Sequence, residues 1–472
     1  MSFKKDFLKN TARFGGYTYF IQLIEFASTI ILSRIISPEE YGFVALITVF
    51  SGFVFVFTQV GVLHAIIRND YDEKKLGDFF SLTLWIGVLL FLIFSLLAYP
   101  IALFYDDMRL VLPSLVVGLT FITQSINYVP SAIASKHLRF NLIGEARILQ
   151  TVVQVVAMIV LAVLGFSYWS LIIPITFSPI VQYIYYYYRI DFQRKYLGIR
   201  SAWLLLIEIK SLVGSITLSS IINYWTNNAD NLAIGKIYGD AALGNYNRAY
   251  RFIFLAKRLI NSIFGTVLFP SLKKLKENNG DVNKEFLAIL GIISIANFPM
   301  GIVLILFAEP LVLILWGSDW TGVIKFLPYI GVLILVQTVF AATRDFYVLQ
   351  KKERTILNIT MINSIMSVAA IITGAFFSPL HIIFLVTVAN TIMIPIQVYI
   401  GFYKALQFKV KELLLFWGPK FVISGFFIYT IYYELYLYQV VTTIVYTIHL
   451  VTMQKRDIIN FWNMAVKKVR GN

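Results

Sequence analysis

Long apolar segments follow one another along the whole chain, and no other feature restricts its fold as strongly. A helix needs roughly 20 apolar residues to cross the hydrocarbon core of a bilayer. Segments of this kind lie near residues 14–34, 42–66, 79–104, 110–133, 146–165, 168–188, 205–227, 243–269, 286–308, 321–343, 355–376, 379–403, 412–433 and 436–454. Hydrophobic residues make up 58% of the chain, above the usual share in a soluble domain. The sequence therefore predicts an all-α polytopic membrane protein with about fourteen transmembrane helices.

The segments between these spans alternate between a basic kind and a short neutral or acidic kind. The basic kind comprises residues 4–13, 68–75, 136–147, 189–200, 273–276, 351–354, 404–411 and 467–470. The other kind comprises residues 38–40, 106–107, 165–167, 239–240, 309–319, 378–379 and 434. Cytoplasmic loops of membrane proteins collect Lys and Arg. The alternation therefore predicts an even number of spans with both termini in the cytoplasm. It also explains most of the net charge of +15 without a nucleic-acid partner.

Several kinds of chemistry find no support in the sequence. The chain has no cysteine, which excludes disulfides, Fe–S clusters and thiolate metal sites. Its four histidines lie far apart without a metal-ligand spacing, and no ATPase-type phosphate-binding loop occurs. We therefore expect no cofactor and no metal, and an H⁺ or Na⁺ gradient stays open as the energy source. The basic N-terminus lacks a small-residue cleavage site, so we expect the first helix to be retained.

Two pairs of similar segments indicate an internal repeat. Residues 34–42 (RIISPEEYG) align without a gap with residues 236–244 (KIYGDAALG), and residues 98–104 (AYPIALF) resemble residues 308–314 (AEPLVLI). The offsets are 202 and 210 residues. Six predicted helices separate the copies, an even number, which predicts a parallel repeat about an axis along the membrane normal. We predict a six-helix lobe over residues 1–200, a second over 201–405, and an appended helix pair with a basic cytoplasmic tail over 406–472.

Residues 244–270 are apolar enough to span a membrane, yet they contain Arg248, Arg251, Lys257 and Arg258. At ~100° per residue, the three arginines fall within an arc of roughly 80°, and Lys257 lies about 100° from Arg258. Each charge would cost on the order of 3 kcal/mol at the bilayer centre, which is tolerable on a face that lines a water-filled cavity. We therefore predict a cationic binding face for an anionic cargo. Alternatives stay open: Arg248 could snorkel to the outer interface, and in a tilted helix Arg258 could approach the cytoplasmic one.

Polar positions on other helices are candidates for the walls of the same cavity. Glu25 lies in the middle of the first span; the alternative is a structural ion pair or a protonated carboxyl between helices. Asn223, Asn227 and Asp230 lie near one face of the seventh helix, where polar helix packing is the alternative. His64 lies at the end of the second span, either at the interface or at an inner gate.

Several motifs resemble those of a known transporter family. Residues 32–43 (LSRIISPEEYGF) resemble the L-x-R-x-L-x-P-x-x-F/Y-G signature that follows the first helix of polysaccharide exporters. Further similar segments are LRF at 138–140, ADNLAIG at 229–235, LGNYNRAY at 243–250 and LFPSL at 268–272. In this order and spacing the chain resembles, over nearly its whole length, the Wzx-type flippases of the MATE-like MOP superfamily, in their WzxC/TuaB-like branch.

The resemblance implies two six-helix lobes around a central cavity, often with a further helix pair. It implies transport of undecaprenyl-pyrophosphate-linked oligosaccharides from the inner to the outer leaflet of the bacterial cytoplasmic membrane by alternating access. The motif positions that carry over are Arg34, Asp230, Arg248 and Tyr250. For Arg34 a purely structural role is equally compatible with the motif.

The sequence thus favours a lipid-linked oligosaccharide flippase for O-antigen, capsule or exopolysaccharide assembly. The resemblance implies a polyprenyl-pyrophosphate substrate, the bilayer and a polysaccharide polymerase machinery as partners. The basic face fits this substrate independently, because Arg and Lys suit a pyrophosphate. The alternatives are a MATE-type cation or drug antiporter, a lipid II flippase, and a membrane-embedded glycosyltransferase or polymerase. A cation antiporter usually needs acidic groups in its cavity. In the apolar spans of this chain acidic residues are few, and basic residues outnumber them. The enzyme alternative lacks both an external domain and an acid/base constellation in the sequence.

Overall fold

The computed structural model of the protein describes residues 3–58, 62–68, 70–194, 199–264, 272, 281–341 and 343–469, with side chains placed for most of them. The helices are α1 (Phe3–Leu32), α2 (Pro38–Phe55), α3 (Val62–Arg68), α4 (Glu73–Tyr105), α5 (Val111–Lys136), α6 (Phe140–Val163), α7 (Trp169–Tyr187), α8 (Ile199–Phe264), α9 (Val282–Leu306), α10 (Ala308–Leu315), α11 (Leu327–Ala341), α12 (Thr343–Leu349), α13 (Glu353–Ala375), α14 (Pro379–Gln397), α15 (Val410–Tyr432) and α16 (Tyr436–Val469). A π-helical segment, Val398–Ala405, continues α14. The ranges described contain no strand, so the predicted all-α class is confirmed.

Eight of the described helical segments are long and apolar enough to cross a membrane. They are Pro38–Thr58, Glu73–Tyr105, Met108–Lys136, Phe140–Val163, Val282–Leu306, Arg354–Ala375, Pro379–Ala405 and Val410–Tyr432. The protein is therefore a multi-pass membrane protein, while the number of fourteen transmembrane helices stays a prediction. The span predicted near 146–165 corresponds to α6. The span predicted near 42–66 instead falls on α2, the short 3-10 segment Val56–Thr58 and α3.

The predicted seventh and eighth helices both lie within Ile199–Phe264 and are separated by a sharp break at Gly239, within the connection predicted at residues 239–240. Helix α8 is interrupted only at Gly239, whose backbone has φ 81° and ψ −175°. A positive φ of this size disfavours any residue with a Cβ. One glycine thus separates a first arm, residues 199–238, from a second arm, residues 240–264.

The chain divides into two compact units, Met1–Gly244 and Asn245–Asn472. The division falls inside the second arm of α8. The predicted lobe boundary after residue 200, which follows the sequence repeat, stays a prediction.

In the first unit, buried polar groups tie α5 to α7. The Asn127 amide donates hydrogen bonds to the carbonyls of Pro179, at 2.9 Å, and Thr123, at 3.1 Å. The Thr123 hydroxyl donates to the Thr176 carbonyl at 2.7 Å. Apolar packing surrounds these bonds, for example between the Phe94 and Phe121 rings, whose centroids lie 5.5 Å apart. In a membrane, such interhelical hydrogen bonds help to fix helix pairs.

In the second unit, an equivalent amide bond joins α11 to α14. The Gln337 side-chain amide donates to the Asn390 side-chain oxygen at 3.0 Å. Gln337 lies 210 residues after Asn127, which is the offset between residues 98–104 and 308–314. In the predicted repeat, helices α5 and α7 correspond to α11 and α14. The two amide hydrogen bonds lie outside the aligned segments, so they support the predicted repeat independently.

The two copies of the first repeat segment touch each other through their glycines. A Cβ built on Gly42 would lie 1.7 Å from the carbonyl oxygen of Asp240, and one built on Gly244 would lie 2.0 Å from the carbonyl oxygen of Pro38. In the gapless alignment Gly42 corresponds to Gly244, and Pro38 corresponds to Asp240. We call this arrangement the reciprocal glycine contact. Only glycine allows two backbones to approach so closely.

Candidate substrate-binding face

The second arm of α8 has a buried side and an exposed side. Ala249, Phe252, Ile253 and Ala256 are buried, whereas Arg251, Phe254 and Arg258 are exposed. The three exposed residues are spaced three and four positions apart, so they form one stripe along the helix. We call them the basic stripe. It combines two guanidinium groups with one aromatic ring.

Arg248 does not belong to the exposed stripe. Its side chain is 3% exposed, and its guanidinium carbon lies 4.2 Å from the ring centroid of Trp320 and 5.4 Å from that of Trp316. Phe252, one turn further along α8, packs on Trp316 with the ring centroids 5.6 Å apart. The predicted arc of three arginines is thus divided: two are exposed, and Arg248 lies among aromatic rings of its own unit.

Lys257 is half-buried and lies beside the basic stripe, not on it. Its position agrees with the angle of about 100° that separates it from Arg258 on a helix. The role of all four cations in substrate binding stays a prediction.

The candidates in the first unit differ in exposure. Glu25 in α1 and Arg34 in the turn after it are exposed, as is Asn227 in the first arm of α8. Asp230 is 6% exposed, and its carboxylate accepts a hydrogen bond from the backbone N–H of Asn231 at 2.8 Å. The side chains of Asn223 and His64 lie outside the described residues. The predicted roles of these six residues stay untested by the geometry.

Charged groups next to the reciprocal glycine contact are paired. Arg109 binds both carboxylate oxygens of Asp107, at 2.9 and 2.7 Å. The hydrogen bond from Arg109 lowers the pKa of Asp107 from its ordinary value. Lys236 lies 2.7 Å from the carboxylate of Asp106. These ion pairs lie near the ends of neighbouring helices, and Arg251 and Arg258 are the exposed cations of the second arm.

Sequence reasoning missed one buried cation. Lys420 in α15 is 4% exposed, and its ammonium donates to the Phe416 carbonyl at 3.1 Å and lies 3.6 Å from the Phe416 ring centroid. The signal was available, because Lys420 interrupts the apolar span predicted near 412–433.

Comparisons with solved structures identify the fold. The protein resembles the lipid II flippase MurJ in an inward closed conformation, with a TM-score of 0.68 and 14% identity, over 95% of this chain and 100% of MurJ. It also resembles an inward-facing multidrug resistance MATE transporter of the MOP superfamily, with a TM-score of 0.66 and 14% identity, over 82% of this chain and 94% of the transporter. The predicted MATE-like fold is therefore confirmed.

Sequence relatives point to polysaccharide assembly. The chain is 24% identical to the teichuronic acid biosynthesis protein TuaB of Bacillus subtilis, over 67% of this chain and 64% of TuaB. It is 23% identical to the lipopolysaccharide biosynthesis protein WzxC of Escherichia coli, over 66% of this chain and 63% of WzxC. The aligned part thus covers slightly less than two thirds of these two relatives. The sequence profile of the polysaccharide biosynthesis protein family matches residues 31–325, and the chain belongs to that family.

Proposed function

We propose that the protein is a flippase that moves a polyprenyl-pyrophosphate-linked oligosaccharide across the bacterial cytoplasmic membrane by alternating access. The observation that carries the proposal is the basic stripe, in which Arg251 and Arg258 are exposed on a helix whose other side is buried. The family, the fold and the names of the relatives support it.

The basic stripe suits the headgroup of such a substrate. A guanidinium binds phosphate oxygens through two parallel hydrogen bonds, and charge-assisted bonds of this kind are stronger than neutral ones. Phe254 lies between the two arginines along the stripe, where an aromatic ring can pack on a sugar or a prenyl unit. In this proposal the pyrophosphate binds Arg251 and Arg258, the sugars follow in a hydrated cavity, and the prenyl chain stays in the lipid.

The same proposal assigns the orientation in the cell. Both termini lie in the cytoplasm, as the distribution of Lys and Arg predicts, and the protein acts with the enzymes that build and polymerise the saccharide. A proton or sodium gradient, or the substrate's own gradient, drives transport. A lipid II flippase is the nearest alternative, because its cargo also carries a pyrophosphate.

The proposal predicts that the Arg251→Ala/Arg258→Ala double variant loses at least about tenfold in transport rate, since a hydrogen bond to a charged group contributes roughly 1.5–3 kcal/mol. The measurement uses proteoliposomes containing undecaprenyl pyrophosphate linked to a short galactose-terminated oligosaccharide, and a lectin added outside reports translocated headgroups. Lipid II is tested in parallel, so transport of lipid II alone would favour the alternative.

Two variants serve as controls for this prediction. Arg251→Lys/Arg258→Lys keeps the charge and should retain part of the rate. Arg354→Ala removes an exposed arginine at the start of α13 and should leave the rate unchanged. Full transport by the double alanine variant, at normal membrane levels, would contradict the assignment of the basic stripe.

A further inference from the structure

We propose that Lys420 and His449 form a proton-binding site between α15 and α16, and that the proton occupancy of this site controls the rate of transport. The inference deepens the proposed function and rests on it, because it names an ion to which transport responds. The site lies in the last two helices of the chain, on different helices from the basic stripe.

Lys420 lies near the middle of a helix that is long enough to cross a membrane. Helix α15, Val410–Tyr432, has 23 residues, and Lys420 lies 10 residues after its first residue and 12 before its last. At 1.5 Å per residue, it is about 15–18 Å from either end, close to the centre of a hydrocarbon core that is roughly 30 Å thick. Ionisable residues at this depth are rare and mark functional sites.

The surroundings of Lys420 satisfy an ammonium only in part. The residue is 4% exposed, and its Nζ donates to the Phe416 carbonyl at 3.1 Å and lies 3.6 and 5.9 Å from the ring centroids of Phe416 and Trp417. Within the part of the chain that the structure describes, no carboxylate forms an ion pair with it. An ammonium has three N–H donors, and one carbonyl accepts from only one of them. A buried lysine in such a place can release its proton as well as hold it.

His449 brings a second proton-accepting group to the same depth. Helices α15 and α16 are packed neighbours, and the Gln439 side-chain amide donates to the Thr430 carbonyl at 3.3 Å near their connection. His449 lies 13 residues after the start of α16, and Lys420 lies 12 residues before the end of α15. The two groups are close enough to interact electrostatically. A charge on one therefore disfavours a charge on the other, and the pair takes up its protons in separate steps.

The elements packed against this pair carry their charged groups elsewhere. Helix α15 contacts α11, α14, the π-helical segment and α16, and α16 also contacts α9. Tyr446 is the titratable neighbour at the same depth, with its ring centroid 6.4 Å from that of His449. The other titratable or charged groups described in these elements lie toward the helix ends or in the π-helical segment: Lys284, Glu285, Tyr329, His381, Tyr399, Tyr403, Lys404, Lys411, Glu412, Tyr429, Tyr432, Tyr436 and Tyr438.

Proton binding at this site changes the packing of the helix pair. A charge at the bilayer centre costs on the order of 3 kcal/mol, so a protonated pair favours a looser packing that admits water, and a deprotonated pair favours the closed one. Helix α16 packs on α9 through Tyr446 and Phe298, whose ring centroids lie 5.3 Å apart. A movement of the pair is thus transmitted to a helix of the second predicted lobe, which shifts the balance between conformations.

Histidine NMR of the purified protein in detergent tests the proton site without transport. The chain has four histidines, so labelled histidine gives four ring signals, and His449→Gln identifies the signal of His449. In the wild-type protein this signal should titrate in two steps, because Lys420 changes its charge in the same pH range. Lys420→Arg stays charged and Lys420→Met stays neutral. Each should give a single step, with midpoints at least about 0.5 pH unit apart.

A matched control and a clear contrary outcome accompany this titration. Lys411→Met removes an exposed lysine at the start of the same helix and should leave both steps in place. A wild-type curve that coincides with that of Lys420→Arg or of Lys420→Met would overturn the proposal, because Lys420 would then keep one protonation state.

A second measurement follows transport of the lectin-detected lipid in proteoliposomes. Between about pH 6 and about pH 8 the wild-type rate should change at least about threefold, because the coupled pair changes its charge in this range. Both Lys420→Arg and Lys420→Met should lose this dependence, and Lys411→Met should keep it. Unchanged pH dependence in both Lys420 variants would exclude control of transport by this site. If the wild-type protein transports none of the offered lipids, the proposed function fails, and the histidine titration alone decides whether the proton site exists.

Discussion

At the scale of single residues, the arginines of the second arm of α8 have different environments in spite of their common spacing. Arg251 and Arg258 are exposed, whereas Arg248 lies against the rings of Trp316 and Trp320. Helical periodicity predicts the face of the helix on which a side chain lies. It does not predict which residues from distant parts of the sequence contact that side chain. Trp320 lies 72 residues after Arg248 in the sequence, so no local pattern could reveal this pair.

This environment predicts that Arg248 stabilises the second unit. Arg248→Ala should lower the free energy of unfolding by about 2–4 kcal/mol, because each desolvated cation–π pair contributes up to ~2 kcal/mol. Thermal unfolding of the purified protein in detergent measures the effect. Arg248→Lys should recover part of it, while Arg251→Ala, at an exposed position, should stay within about 0.5 kcal/mol. Equal stability of the Arg248→Ala and Arg251→Ala variants would refute a structural role for Arg248.

At the scale of helices, buried amide groups join equivalent pairs in the two units. Asn127 bonds the backbone of α7, where Pro174 and Pro179 interrupt the helical hydrogen bonding. Gln337 instead bonds a side chain of α14, Asn390. The equivalent helix pairs are thus joined by hydrogen bonds to different acceptors, a backbone carbonyl in one half and a side chain in the other. The two bonds therefore leave no common sequence motif.

These bonds should contribute measurably to stability. Asn127→Leu and Gln337→Leu should each destabilise the protein by about 0.6–2 kcal/mol, the range for interhelical hydrogen bonds in membranes. Thr447→Val is a matched control, because the exposed Thr447 hydroxyl bonds only within its own helix, to the Thr443 carbonyl at 2.7 Å. Thermal unfolding in detergent compares the three variants. A loss in the control as large as in the amide variants would argue against a special contribution of the amides.

At the scale of the whole molecule, the alternation of basic and neutral connections predicts that both termini lie in the cytoplasm. A fluorescent protein fused after Asn472 should fluoresce, because such proteins mature in the cytoplasm and not after export through the general secretory route. The same reporter inserted after Glu434, in a connection predicted to face outward, should stay dark. The reverse pattern of fluorescence would invert the predicted topology.

Much of the fold follows from the sequence, because an apolar span must become a helix in a membrane where backbone groups find no water. The all-α class and the positions of the eight long apolar helices are of this kind. The connection at residues 239–240 also follows from the sequence, since a glycine–aspartate pair suits a tight turn, and the backbone at Gly239 is non-helical. The aromatic surroundings of Arg248 and the burial of Lys420 depend on contacts between distant segments. Such contacts leave no periodic signal.

The reciprocal glycine contact also bears on the ancestry of the protein. A repeat of this kind arises when one half of a gene is copied, after which each copy is free to drift. Gly42 and Gly244 cannot be replaced freely, because the backbone of each copy occupies the space that a side chain on the other would need. Glycine at both equivalent positions is therefore required by the contact itself, so the two copies agree there for a steric reason.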